Sequence, residues 1–96
     1  MSKYELAVIL NAKLDEEERA DVIEKVKGFI ARYNGNVLNV DDWGKKRLAY
    51  EIQKAKEAYY YFIVFEGDSE CPNEVENHVR IMEPVIRYLC IKQEEE

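Results

Sequence analysis

This chain of 96 residues is poor in the side chains from which most active sites are assembled. His78 is the one histidine, and Cys71 and Cys90 are two cysteines far apart in the sequence. A lone helical histidine has no partner for base catalysis. Two unclustered thiols do not make metal-ligand spacing, so free thiols are expected rather than a disulfide or a metal pair. No serine or cysteine stands beside a recognisable base. No apolar run approaches the length of a membrane span. Met1-Ser2-Lys3-Tyr4-Glu5 lacks the basic, then apolar, then small order of a secretion signal, so a soluble cytosolic protein is expected. Cations are also scarce: 14 Lys and Arg against 20 Asp and Glu give a formal net charge of −6. An acidic protein gains little from long-range attraction to a polyanion, so any nucleic-acid binding must come from a local basic patch.

What the chain does contain is a clear alternation of hydrophobic periods. Tyr4, Leu6, Val8 and Leu10 alternate as a strand. Asp15 then stands as a helix N-cap, with Glu18 at the capping-box position and acid in the first turn. Val22, Ile23, Val26, Phe29, Ile30 and Tyr33 follow at helical spacing, and Asn34-Gly35 is a left-handed stop. Val37, Leu38 and Val40 begin a second strand. Leu48, Tyr50 and Ile52 resume its alternation after a bulge or bend near Trp43-Gly44. Residues 58–66 are an unbroken aromatic and β-branched run, the clearest strand in the chain. Pro72 opens a short helix whose inner face is Val75, Val79 and Met82; Pro84 closes it, and residues 85–91 form the last strand.

Strand, helix, strand, strand, helix, strand is the split βαβ, ferredoxin-like order: an α+β fold with a four-stranded antiparallel sheet and two helices on one face. A single domain is expected over residues 1–92, with a short acidic tail over 93–96. If Leu6, Val8, Tyr61, Ile63, Phe65, Ile86, Tyr88 and Cys90 lie under the helices, the opposite face carries Ala7, Ile9, Tyr60, Phe62, Val64, Leu89 and Ile91. A sheet apolar on both sides needs a second cover, so this face is expected to meet a protein partner or a second copy of the chain.

Against the acidic background, Asp42-Trp43-Gly44-Lys45-Lys46-Arg47-Leu48-Ala49-Tyr50 sets three adjacent cations beside two large aromatics. A solvated strand edge whose lysines block aggregation is the plainer account of such a run. The flanking residues argue for more. Asp-Trp-Gly-Lys-Lys-Arg-Leu-Ala-Tyr-Glu-Ile closely resembles the central signature of the family of the sixth protein of the bacterial small ribosomal subunit. Lys3-Tyr4-Glu5, Asn34-Gly35, Ala58-Tyr59-Tyr60, Arg80-Ile81 and Val85-Ile86-Arg87 fall in that family's order and spacing, so the resemblance covers essentially the whole chain. Met82-Glu83-Pro84 departs from it, where the family commonly has a short polar Asn or Asp turn.

The resemblance implies a structural, RNA-binding protein of the ribosome with no catalytic activity, cofactor or small-molecule substrate. It implies that the chain pairs with the eighteenth small-subunit protein as a heterodimer on the central domain of 16S ribosomal RNA. The family's basic positions fall here on Lys3, Lys45, Lys46, Arg47, Arg80, Arg87 and Lys92, as contacts to phosphate or to the partner. Tyr4, Trp43 and Tyr50 are possible RNA-side aromatics, although Tyr4 and Tyr50 share parity with core positions. Ile9, Tyr60, Phe62, Leu89 and Ile91 are expected at the partner-protein interface. Two other functions share the fold. An RNA-recognition module would stack bases on Tyr60 and Phe62, but Glu57 occupies the place of its glycine, and Ala7 or Ile9 cannot stack a base. A ligand-sensing regulatory domain is the other. The small phosphatases of this fold hold phosphate with an Arg in the first loop, and Asn11-Ala12-Lys13-Leu14 has neither Arg nor glycine.

Overall fold

The structure, a computed structural model, describes residues 2–52 and 55–93, those at 48–52 and 55 by their backbone alone. Its elements are β1 (Ser2–Asn11), α1 (Glu16–Arg32), β2 (Asn36–Ile52), β3 (Ala55–Gly67), α2 (Cys71–Val79) and β4 (Val85–Gln93). The strands form one antiparallel sheet in the order β2-β3-β1-β4. This is the ferredoxin-like order, with β1 and β3 inside and β2 and β4 as edges. No helix is long and apolar enough to cross a membrane among the described residues.

Local chemistry sets the first helix. Asp15 Oδ1 accepts from the Glu18 backbone N–H at 2.8 Å, and Glu18 Oε1 accepts from the Asp15 N–H at 3.1 Å, so the capping box closes in both directions. The helix ends where Asn34 takes φ of 65° and the Gly35 N–H reaches back to the Ile30 carbonyl at 2.8 Å. The left-handed residue of the pair is therefore the asparagine. Gly35 answers a different need: a Cβ there would stand 2.6 Å from Ile30 Cγ2 and 2.9 Å from Cys71 Sγ.

The core lies between the sheet and the two helices. Leu6, Val8 and Leu10 of β1 and Ile63 and Phe65 of β3 meet Val22, Ile23, Val26 and Ile30 of α1 and Val75 and Val79 of α2. Each such aliphatic side chain, fully buried, contributes roughly 1.5–3 kcal/mol. Cys71 and Cys90 are both free, Cys71 in the core and Cys90 packed against it. The α2–β4 turn is tied to the end of β1 by Asn11 N–H donating to the Pro84 carbonyl at 3.0 Å, and Met82 packs on the core.

The sheet has four irregularities in register; one lies between Arg47 and Ile52 toward the tip of the β2–β3 pair, and the other three re-aim side chains. Leu38 and Trp43 are extra residues in β2, without opposite numbers in β3, and Gly44 after the second has φ of 74°. In β4, Leu10 pairs with Val85 and Ile9 with Arg87, so Ile86 is the extra residue. Strict alternation put Ile86 beneath the helices; the bulge gives that place to Val85, which packs against the core. The last strand also runs to Gln93, which pairs with Lys3, so residue 93 belongs to the sheet and not to a tail. Residues 94–96 lie outside the described residues, as do the side chains of Leu48, Tyr50 and Ile52.

Candidate protein and nucleic-acid interface

The face of the sheet away from the helices is built by the odd residues of β1 and by the positions registered with them. Ile9 lies between Tyr60 and Arg87, Ala7 between Phe62 and Leu89, and Glu5 between Val64 and Ile91. Paired residues of adjacent strands project to the same side, so these rows form one surface. Its centre is apolar, and part of it stands in water: Leu89 is 59% exposed, Ile91 50% and Trp43 56%. The bulge carries Trp43 onto this face, where its ring meets Phe62 with centroids 4.6 Å apart and planes at 54°. Trp43 thus extends the expected interface of Ile9, Tyr60, Phe62, Leu89 and Ile91 across the neighbouring strand.

β1 stops at Asn11, opposite Ala58. Beyond it β2 and β3 continue as a two-stranded ribbon that carries Lys46 opposite Ala58 and Arg47 opposite Glu57. Lys46 shares the side of Ala58 and Tyr60, the apolar face. Lys45, opposite Tyr59, and Arg47 take the other side. The Lys45 ammonium lies 4.0 Å from Glu57 Oε2 and 5.8 Å from the Tyr59 ring centroid. That ring is also covered by the Arg19 guanidinium at 3.7 Å, while Arg19 Nε donates to the Tyr61 hydroxyl and a terminal nitrogen to the Leu14 carbonyl. Arg19 is therefore occupied inside the protein.

The remaining cations are spread over the surface. Arg87 stands on the apolar face in the row of Ile9 and Tyr60, and Arg80 caps the end of α2; both are exposed. With the ribbon cations and the turn that bonds to Asn11, they give one end of the molecule a basic character. Lys3, opposite Glu66 and Gln93, and Lys92, opposite Tyr4, lie at the other end. The basic positions do not converge on one patch. Tyr4 is 6% exposed, its ring stacked on Phe65 at 5.5 Å, so it is a core residue with no free face for a base. Tyr50, by its side chain, lies outside the described residues.

His78 joins the two helices. Its ring lies on Phe29 at 4.5 Å and 17°, and Nε2 is 2.9 Å from the Tyr33 hydroxyl. Among the described residues there is no group of three His, Cys, Asp or Glu that could hold a metal ion. The polar residues that sequence reasoning passed over are Glu5 and Asp41, both registered on the apolar face. For Glu5 the signal was available, because alternation with Tyr4, Leu6 and Val8 sends it there.

Residues 3–92 match the family described as Ribosomal protein S6. The chain belongs to the ribosomal protein S6 family. It is 48% identical over 94 residues to small ribosomal subunit protein bS6 of Clostridium botulinum, covering 98% of this chain and all of that one. To the bS6 of Alkaliphilus metalliredigens it is 44% identical over 95 residues, covering 99% of this chain and all of the relative. The crystal structure of 30S ribosomal protein S6 from Thermotoga maritima superposes with a TM-score of 0.91 at 32% identity, over 96% of this chain and 87% of that one. Membership of the S6 family makes this a structural component of the small ribosomal subunit in the cytoplasm, and not an enzyme.

Proposed function

We propose that this chain binds the central domain of 16S ribosomal RNA together with the eighteenth protein of the small subunit, each completing the other's surface. The observation that carries the reading is the uncovered apolar sheet face, with Trp43, Leu89 and Ile91 in water, set beside a basic end of an otherwise acidic protein. Exposed apolar area on this scale marks a binding surface, and Glu5 on its inner strand disfavours a polyanion as the direct occupant. The partner protein takes the face formed by Ile9, Tyr60, Phe62, Leu89 and Ile91. Lys45, Lys46, Arg47, Arg80 and Arg87 at the ribbon end, with Lys3 and Lys92 at the other, supply cations to phosphate or to the partner.

Filter binding of the central-domain RNA tests this directly. The chain alone should bind weakly, because its net charge of −6 repels phosphate, and addition of the basic partner should restore affinity. Tight, sequence-specific binding by the chain alone would overturn the proposal. So would recovery from native cytosol as a free pool carrying a tightly held metabolite, which favours a ligand-sensing domain.

A further inference from the structure

The apolar face has a carboxylate on one of its two inner strands. Glu5 sits on the inner strand β1, registered between Val64 on β3 and Ile91 on β4, with Ala7 next along its own face. It is already half-buried, and its carboxylate makes no side-chain hydrogen bond or ion pair with any described residue. Asp41, opposite Phe62, and Glu66, opposite Lys3, stand on the same face with Lys3 among them, and Lys46 and Arg87 lie toward its other end.

Anything that covers the apolar centre also strips water from Glu5. A carboxylate desolvated without a counter-charge is strongly penalised, and the same group becomes a source of discrimination when the correct partner brings a cation to it. Resting on the reading of this face as the seat of a protein partner, we infer that Glu5 is the specificity-determining residue of the interface, accepting a lysine or arginine of a basic partner protein. The whole-chain charge of −6 favours that occupant over a second copy, which would bring the same charge with it. RNA is disfavoured at this spot because its phosphates would meet Glu5, Asp41 and Glu66.

The test measures affinity of the full chain for the purified eighteenth small-subunit protein by calorimetry, at low and at high salt. Glu5→Gln keeps the shape and removes the charge. It should weaken association by about tenfold at low salt, the scale of one hydrogen bond to a charged group, with a smaller loss at high salt and an unchanged melting midpoint. Glu5→Lys should weaken it further, and equal losses in the two variants would mean that shape alone is read and would sink the inference. Phe62→Ala reports on the face itself, independently of charge. If Phe62→Ala weakens binding and Glu5→Gln does not, the face remains the partner's seat and Glu5 has no selecting role. If neither changes affinity, the face is not the interface. A dimer of this chain in sedimentation, dissolved by Phe62→Ala, would assign the face to a second copy instead, and central-domain RNA held by the chain alone and released by Phe62→Ala would assign it to RNA.

Discussion

Single residues carry two sharply testable demands. At Gly35 the constraint is space, since an added methyl would stand 2.6 Å from Ile30 Cγ2 and 2.9 Å from the Ile30 carbonyl oxygen. Gly35→Ala should lower stability by about 1–3 kcal/mol, the usual scale of overpacking, read as a fall in the urea midpoint at constant slope. An unchanged midpoint would mean that the α1–β2 crossing gives way more easily than a packed core does. At Cys90, burial, reinforced by Glu76 and Cys71, pushes the thiol from its ordinary range up to about 12. The thiolate is then nearly absent at neutral pH, so iodoacetamide should label the folded protein far more slowly than the unfolded one. A folded value above the unfolded one stabilises the protein fully below the ordinary thiol range and loses that contribution as pH rises toward 12. The decline of stability with alkaline pH should accordingly be shallower in Cys90→Ala than in the parent.

Elements show what a sequence can and cannot disclose. The helix α1 was legible down to its caps, because Asp15, Glu18 and Asn34-Gly35 act through bonds three to five residues long. Asp15→Ala should therefore cost about 1 kcal/mol, visible in the melting midpoint. The strands and their order were legible from period and spacing, and so was the face that holds Phe62. Ile91→Glu, at a side chain half in water, should leave the melting midpoint nearly unchanged, within about 0.5 kcal/mol, while abolishing partner binding; a collapse in stability would make Ile91 a core residue. The bulge at Trp43 was expected from Gly44 and the interrupted period, whereas those at Leu38 and Ile86 could not be disclosed by alternation, since an extra residue is defined by the opposite strand. Those bulges moved Val85 into the core place expected for Ile86 and brought Trp43 onto Phe62. Tyr4 was misplaced for another reason: family position says nothing of burial, and the parity that did speak of it pointed to the core. The ribbon keeps its alternation between bulges, so Lys46 opposes Lys45 and Arg47 in direction. In the assembled complex, Arg47→Gln should reduce the salt-dependence slope by roughly 0.7–0.9 log units, the value of one phosphate contact, and Lys46→Gln should leave the slope unchanged. Equal losses from both would contradict the two-sided ribbon.

The whole molecule is acidic, with its cations held to particular places, and that division governs encounter as well as binding. Association with a basic protein partner should slow steeply as salt rises in stopped-flow mixing, since the steering field is screened within about 10 Å at 0.1 M salt. The strand order has a separate consequence, for how the protein comes into being. β1 is an inner strand, yet one of its edges is filled only by β4, with Lys3 opposite Gln93. A chain that emerges from its amino terminus can assemble β1, α1, β2 and β3 while that edge still stands open, and the sheet closes only when the last strand arrives. During each round of its own synthesis, the nascent protein therefore holds an unpaired edge beside an uncovered apolar face, and both invite association with other nascent chains. Closing the first hazard waits on the last strand, and closing the second waits on assembly.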